Sequence, residues 1–280
     1  MKARDYLIEE AMPLFWCRGC GNGIILHALL RALARLGKSR EETVVVTGIG
    51  CFGKADDYIR THSIHGTHGR ALAIATGVKA VNPGLTVLAL MGDGDCATIG
   101  GNHLIHAARR NIGVTAVVAN NLNYGMTGGQ FSATTPQGAR SSTSSFGNPE
   151  SGFDLCRLAG AAGAALVARA TVYHAALLES LLVEAISCPG FSLVEVMSSC
   201  PVYYGRYNGI PDPAAMMRWW QESAVPASRY AELAPEEKQG RFPIGRLGGS
   251  DRPAFSERYA RVQEAAQAGA GRWIQAGTDR

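Results

Sequence analysis

The chain is poor in charged residues and has no long apolar run. Only 18% of its 280 residues are Asp, Glu, Lys or Arg, and the formal net charge is +4. The basic residues are scattered along the chain, which argues against a nucleic-acid-binding protein. Glycine or charge interrupts every apolar run well before the roughly 20 residues that a membrane helix needs, so we expect no membrane association. The sequence also has no internal repeats.

A secretion signal is missing as well. The N-terminus, MKARDYLIEE, contains acidic residues and no apolar core, so the sequence predicts a cytoplasmic protein. In that compartment the seven cysteines are expected to be reduced, metal-bound or catalytic rather than paired in disulfides.

Strand-like and helix-like segments alternate along most of the chain. Short apolar segments that we expect to be strands lie at 43–47, 86–91, 114–119, 165–170 and 191–196. Segments that we expect to be helices lie at 24–36, 70–81, 102–110, 153–160 and 173–187. This alternation predicts an α/β fold with a doubly wound, mostly parallel sheet.

The stretch 91–130 places polar residues at the ends of two of these strands. The sequence GDGD at 92–95 ends one strand, and the Asn pair at 120–121 ends the next. The intervening helix completes a βαβ unit, so the two strands should be parallel neighbours. Both polar clusters then lie at the carboxyl ends of parallel strands, where open α/β sheets bind ligands.

These residue types suit a cation that is bound together with a large anion. Asp93 offers a carboxylate oxygen and Asn121 an amide oxygen, and Mg²⁺ takes such ligands together with substrate phosphates. The glycines at 100–101 precede a helix, whose N-terminus favours phosphate. The residues therefore predict a site for Mg²⁺ and a diphosphate, the alternative being a glycine-rich loop without a ligand.

A Gly-Asp-Gly triplet, 25 further residues and an Asn-Asn pair resemble the motif of thiamine diphosphate enzymes. The longer sequence pattern GDGD…IGGNHLIHAARRN…NNLNYGMTGGQ resembles that of the β subunit of 2-oxoacid:ferredoxin oxidoreductases, especially the 2-oxoglutarate branch. The resemblance implies that Asp93, Asn121 and the backbone carbonyl of Asn123 hold Mg²⁺. It also implies that the cofactor contacts Ile49, Gly50, Cys51, Phe52, His65, Gly66, Gly92, Gly94, Asp95, Tyr124, Gly125, Met126 and Thr127.

Four cysteines stand at positions suited to a metal site. Cys17 and Cys20 form a Cys-x-x-Cys pair, and Cys51 lies between glycines after the strand 43–47. Cys200 follows the last strand and precedes a proline, as some iron–sulfur ligands do. Four thiolates could bind Zn²⁺ or a [4Fe–4S] cluster, and their spacing does not decide between the two. The resemblance implies the cluster.

The sequence departs from the family at Arg18, where proline is usual. The positive charge of this residue is expected to raise the potential of the cluster. The remaining cysteines have other expected roles. Cys156 and Cys188 lie in apolar, helix-like segments and are expected to be buried thiols. Cys96 is expected to pack in the core.

His65, His68 and Lys54 are the candidate catalytic residues. A histidine near a helix start is commonly structural, but two of them could bind a phosphate or transfer protons. In the family, the His-x-x-His-Gly-Arg segment lies at the thiamine site. Lys54 could bind a substrate carboxylate, and Arg140 in the polar loop 130–147 a distal one. Solvated side chains are the alternative for both cations.

The last part of the chain, residues 211–280, has a different character. A helix is expected at 211–221 and a polar helix at 257–273, whereas 222–252 shows no clear period. Such a segment cannot build a core by itself. We expect an extended C-terminal tail that contacts another subunit, with disorder as the alternative.

The resemblance covers about residues 13–210 and makes 1–210 a thiamine diphosphate domain that carries the cluster. It implies oxidative decarboxylation of a 2-oxoacid with coenzyme A to acyl-CoA, CO₂ and reduced ferredoxin, or the reverse. For 2-oxoglutarate the product is succinyl-CoA. Pyruvate or a branched-chain 2-oxoacid is an alternative substrate. A non-redox thiamine decarboxylase or carboligase subunit, and a zinc-bound scaffold, are alternative functions.

The resemblance also implies a partner subunit. Thiamine enzymes need a glutamate from a pyrimidine-binding domain, and 280 residues leave no room for a second α/β domain. An α subunit is therefore expected to supply that glutamate and the coenzyme A site, in an (αβ)₂ assembly that passes electrons to ferredoxin.

Overall fold

The computed structural model describes residues 1–268, which form an α/β fold around one eight-stranded sheet. The strands are β1 (Thr43–Thr47), β2 (His62–His65), β3 (Thr86–Gly92), β4 (Val114–Asn120), β5 (Leu166–Thr171), β6 (Ser192–Met197), β7 (Ala224–Pro226) and β8 (Phe242–Gly248). Their order across the sheet is β2-β1-β3-β4-β6-β5-β8-β7. All pairs are parallel except β5 with β8, which confirms the doubly wound, mostly parallel sheet.

Helices cover both faces of the sheet. They are α1 (Asn22–Arg35), α2 (Ala71–Val81), α3 (Gly101–Arg110), α4 (Leu155–Ala162), α5 (Ala175–Ser187), α6 (Pro213–Ser223), α7 (Ala227–Glu232) and α8 (Phe255–Gln267). One core packs α1 and α5 on one face, and a second core packs α2, α3 and α4 on the other. Within residues 1–268, no helix is both long and apolar enough to cross a membrane.

The predicted strands and helices of the first 200 residues are confirmed to within about two residues at each end. The predicted parallel pairing of β3 with β4 is confirmed, in a register that sets Val87 opposite Val114 and Gly92 opposite Ala119. The sequence pattern missed β2, because this edge strand is exposed along its length and two of its four residues are histidines.

The C-terminal segment is more regular than its sequence pattern indicates. The helix α6 buries Met216 and Trp220 against the main core, and β8 extends the sheet beside β5. The sequence pattern did not predict β8, because its sequence, FPIGRLG, contains proline and two glycines, which are rare in strands. The helix expected at 257–273 is observed as α8, which spans Phe255–Gln267. Residues 269–273 of the prediction lie outside the described part of the chain. The role of this segment in subunit contacts stays a prediction.

The chain order places a crevice between β1 and β3. After β1 the chain adds β2 on one side, and it then returns to form β3 on the other side. The carboxyl ends of β1, β3, β4 and β6 meet at one edge, since these strands are parallel. Doubly wound sheets bind ligands at such a reversal of strand order.

Candidate active site

A cleft lies at this reversal point. The loop after β1, the turn after β3 and the loop after β4 build its walls. Its lining comprises Ile49, Gly50, Cys51, Phe52, His68, Gly92, Asp93, Gly94, Asp95, Ala119, Asn121, Asn123, Tyr124, Gly125, Met126 and Thr127. The structure therefore brings together the predicted cofactor contacts apart from His65 and Gly66.

Three oxygen ligands predicted for Mg²⁺ converge in this cleft. The side-chain oxygen of Asn121 lies 3.3 Å from Asp93 Oδ1 and 2.7 Å from the carbonyl oxygen of Asn123, and it also accepts from the Asn123 backbone N–H at 3.3 Å. An amide nitrogen in that place would satisfy the acceptors in a metal-free protein. A cation would satisfy them equally, and cis ligands at 2.0–2.1 Å from Mg²⁺ are about 2.9 Å apart. The donor set fits a divalent cation.

The charge of Asp93 points to the same conclusion. The acidic side chains buried in residues 1–268 are Asp56, Asp93, Asp95 and Glu195. Each of the other three has a histidine or arginine within 4.0 Å, whereas Asp93 has none in the described chain. Burial raises the pKa of Asp93 to about 6, although hydrogen bonds from Ser132 and Thr134 oppose the rise. A buried carboxylate without a cationic side chain fits a metal ligand.

Asp95 joins three loops around the cleft and orients His68. Its Oδ1 accepts hydrogen bonds from His68 Nδ1 at 2.5 Å, from Gly69 N at 2.6 Å and from Ile49 N at 3.4 Å. With Nδ1 donating to the carboxylate, the Nε2 atom of His68 stays available to a ligand. The ring is 36% exposed and packs edge-on against Tyr124. Glycine is required at 48, where a Cβ would lie 1.9 Å from Asp95 Oδ2.

His65 forms a second Asp–His pair that lies outside the cleft lining. Its Nδ1 is 3.0 Å from Asp56 Oδ2 and 3.0 Å from Thr47 Oγ1. The neighbouring Gly66 donates its N–H to the Thr47 carbonyl, and a Cβ there would meet Ile74 at 2.6 Å. Of the two predicted histidines, the structure brings only His68 to the cleft in this chain.

The two predicted carboxylate-binding cations are also outside the cleft lining. Lys54 lies on the 3₁₀ helix Phe52–Tyr58 and forms an exposed ion pair with Asp57 at 2.7 Å. Arg140 is exposed, and its backbone exchanges two hydrogen bonds with the amide of Asn208. In this chain alone, neither side chain completes the site.

The four predicted cysteines line a second cavity beside the cleft. Cys17 is exposed, whereas Cys20, Cys51 and Cys200 are partly buried. The Cys-x-x-Cys turn needs Gly19, whose φ is +81° and whose Cβ would lie 2.4 Å from a carbon of the Pro213 ring. The structure thus brings together four cysteines from distant parts of the chain. Their spacing in the sequence does not show that they are neighbours.

The spread of the four sulfurs favours a cluster over one zinc ion. Tetrahedral zinc with 2.3 Å bonds holds its sulfurs about 3.8 Å apart. Within residues 1–268, no three of these sulfurs lie within 4.8 Å of one another. Burial raises the pKa of Cys20 to about 12, and burial together with Cys200 and Cys17 raises that of Cys51 to about 11. Thiols whose pKa is raised by burial still become thiolates when they bind a cationic centre.

The cleft and the cysteine cavity adjoin each other. Cys51, Asn121, Gly125 and Met126 line both spaces. A Cβ on Gly125 would lie 3.5 Å from Cys51 Sγ and 3.6 Å from the amide of Asn121, so a single layer of residues separates the two sites.

The three remaining cysteines are not at these sites. Cys96 and Cys156 are buried, as expected, and burial raises the pKa of both thiols. Cys188 is only half-buried, because it follows the last residue of α5.

Sequence reasoning missed several residues that shape the two sites: Ala119, Ser132, Thr134, Trp16, Tyr203 and Phe15. It also missed Asp56, which pairs with His65 outside the cleft. Some had a visible signal. Trp16 precedes the first cysteine, and its indole N–H donates to the Cys51 carbonyl at 2.6 Å. Ser132 and Thr134 lie in the polar loop 130–147, but nothing in the sequence indicates that they contact Asp93.

Comparison with known proteins agrees with this geometry. Residues 36–196 match the family described as "Thiamine pyrophosphate enzyme, C-terminal TPP binding domain". The chain is 41% identical over 260 residues to "2-oxoglutarate synthase subunit KorB" of Methanothermobacter marburgensis, covering 92% of this chain and 91% of that protein. It is 54% identical over 205 residues to the protein of the same name from Archaeoglobus fulgidus, covering 72% and 76%.

A solved structure is similar over nearly the whole chain. It is the 2-oxoglutarate:ferredoxin oxidoreductase from Magnetococcus marinus with 2-oxoglutarate, coenzyme A and succinyl-CoA bound. The TM-score is 0.85 at 30% identity, over 97% of this chain and 93% of that one. The resemblance predicted from the GDGD and Asn-Asn motifs is confirmed: this chain belongs to the β-subunit family of the thiamine diphosphate-dependent 2-oxoacid:ferredoxin oxidoreductases.

Proposed function

We propose that this chain is the β subunit of a 2-oxoglutarate:ferredoxin oxidoreductase. The complex would convert 2-oxoglutarate and coenzyme A to succinyl-CoA and CO₂ and would pass two electrons to ferredoxin. The observation that carries this proposal is the adjacency of the two sites, since Cys51, Asn121, Gly125 and Met126 line both the cleft and the cysteine cavity. Electrons released in the cleft then need to cross only one layer of residues.

The cleft would hold thiamine diphosphate and Mg²⁺. Asp93 Oδ1, Asn121 Oδ1 and the Asn123 carbonyl are the proposed metal ligands, because these oxygens converge in the cleft. When bound, the thiamine supplies a nucleophilic carbon and an electron sink. Gly94 permits a close approach to Tyr124, since a Cβ there would lie 2.3 Å from the phenol ring.

His68 is the proposed proton-transfer residue of this subunit. Asp95 fixes the Nδ1–H tautomer, so Nε2 is the atom that accepts or donates a proton inside the cleft. The exposed face of the ring and its contact with Tyr124 set the direction of that atom.

Cys17, Cys20, Cys51 and Cys200 would ligate a [4Fe–4S] cluster, which supplies one-electron transfer when bound. Cys51 is the ligand nearest the cofactor cleft, because it lines both spaces. Cys17 is the exposed ligand, and it marks the side from which ferredoxin would take electrons. The seven unpaired cysteines fit a reducing compartment, so the proposed location is the cytoplasm.

An α subunit would complete the cleft. Two large apolar side chains at the rim, Ile49 and Met126, are 38% and 41% exposed. Apolar rims of this kind mark protein interfaces. The α subunit would supply the pyrimidine-binding domain with its activating glutamate, a cation for the substrate carboxylates and the coenzyme A site, in an (αβ)₂ assembly.

Anaerobic reconstitution tests this proposal. The chain is co-expressed with the product of the neighbouring gene, and iron content and the visible spectrum are recorded. Dye reduction is then followed with 2-oxoglutarate, pyruvate or 2-oxoisovalerate, each with coenzyme A and a viologen. About four irons per chain and reduction that requires 2-oxoglutarate are expected. Zinc in place of iron, or reduction by another acid alone, would contradict the proposal.

A further inference from the structure

The two carboxylate oxygens of Asp93 have different surroundings. Oδ2 accepts hydrogen bonds from Ser132 Oγ at 2.5 Å and from Thr134 Oγ1 at 2.7 Å. Oδ1 lies 3.3 Å from the side-chain oxygen of Asn121, on the side of the proposed metal site. Oδ2 is therefore saturated with hydroxyl donors, whereas Oδ1 accepts one longer hydrogen bond, from the Asn121 backbone N–H at 3.4 Å, and keeps a lone pair for the metal.

These two hydroxyl groups are themselves held in place. Ser132 donates its backbone N–H to Thr135 Oγ1 at 2.8 Å, and that hydroxyl donates to the Leu122 carbonyl at 2.6 Å. Thr134 Oγ1 also lies 3.1 Å from Asn120 Oδ1. Ser132 is 2% exposed and Thr134 is 5% exposed, so water does not replace them as donors.

The support continues into the sheet. The amide nitrogen of Asn120, the last residue of β4, donates to Glu195 Oε1 on β6 at 2.7 Å. Glu195 Oε2 accepts from Arg169 Nε on β5 at 2.7 Å, which neutralises its charge. The loop 130–135 is thus tied to three strands behind the cleft.

We propose that Ser132 and Thr134 are positioning residues that turn Asp93 Oδ1 toward Mg²⁺ and so set the affinity of the cofactor site. This inference rests on the proposed Mg²⁺–thiamine diphosphate site. The hydroxyls occupy the Oδ2 lone pairs, so only Oδ1 of Asp93 would remain to hold the metal. Without them the carboxylate can rotate and lose that direction. Removing a hydrogen-bond partner of a metal ligand lowers metal affinity about 10- to 100-fold.

The test uses the complex of both subunits after removal of divalent cations with a chelator. The Mg²⁺ concentration that half-saturates thiamine diphosphate binding is measured by calorimetry. Ser132→Ala and Thr134→Val are expected to raise it about 10- to 100-fold. Thr134→Ser keeps the hydroxyl and should restore the wild-type value. At saturating Mg²⁺, kcat should return toward the wild-type value in each variant.

Thr115→Val is the matched control. Thr115 is also buried on β4, and its hydroxyl donates to the Ala185 carbonyl at 3.1 Å, away from the cleft. It should lower the melting temperature about as much as Thr134→Val does, without changing the Mg²⁺ dependence.

Two results would overturn the inference. Ser132→Ala and Thr134→Val could both bind with the wild-type Mg²⁺ dependence, or Thr115→Val could weaken it equally, which would indicate general loosening. If wild-type complex binds thiamine diphosphate without any need for a divalent cation, the proposed site itself fails. The wild-type titration therefore separates failure of the proposed function from failure of this inference.

Discussion

Replacing Asp93 by asparagine should stabilise the metal-free protein at neutral pH while abolishing the cation site. Asp93 is 1% exposed, and burial is the main reason that its pKa rises from 3.8 to about 6. At about 1.4 kcal/mol for each tenfold change in proton affinity, keeping this carboxylate ionised costs about 3 kcal/mol. An amide has no charge to desolvate. Its oxygen can still accept from Ser132 and Thr134, and its nitrogen can donate to Asn121 Oδ1.

The pH dependence of this destabilisation follows from the direction in which the pKa of Asp93 is shifted. Because the folded-state pKa is raised, the cost is absent below about pH 4, grows up to about pH 6 and is complete above it. Urea unfolding of the metal-free wild type and of Asp93→Asn should therefore differ by about 3 kcal/mol at pH 8 and by much less near pH 4. Adding Mg²⁺ with thiamine diphosphate should stabilise the wild type only. A difference that is independent of pH, or a wild type that is the more stable protein at pH 8, would refute this reasoning.

Three further substitutions test other parts of the structure. His68→Gln should lower kcat about 100-fold, whereas His65→Gln should cost much less, because only His68 lines the cleft; equal losses in steady-state assays would contradict this difference. Cys51→Ser should lose cluster iron and dye reduction, whereas Cys96→Ala should keep both, as iron analysis and visible spectra would report. Trp220→Ala should cost about 3–5 kcal/mol in denaturant unfolding, since the ring is 1% exposed and its N–H donates to Ser199 Oγ; a loss below about 1 kcal/mol would show that the C-terminal segment is not part of the core.

The sequence by itself was sufficient for the alternating architecture and for placing the proposed metal ligands Asp93 and Asn121 at neighbouring strand ends. Strands such as 43–47 consist of β-branched residues and are buried on both faces, so their composition alone identifies them. Asp93 and Asn121 are identifiable because each directly ends a strand of one βαβ unit, and parallel pairing is a local rule. The edge strand β2 and the strand β8, which lies between β5 and β7, were not identifiable, because their strand character comes from their neighbours rather than from their own residues.

Only the tertiary structure decided which groups contact one another. The two histidines of HSIHGTHG look equivalent in sequence, but Asp95 holds His68 at the cleft and Asp56 holds His65 away from it. The four cysteines come from segments up to 183 residues apart in sequence. They meet because the ends of β1 and β6 and the start of α1 lie at the same edge of the sheet. The hydroxyls that orient Asp93 are 39 and 41 residues from it. Local pattern reveals which residues can do chemistry, whereas contacts between distant residues depend on how the chain packs.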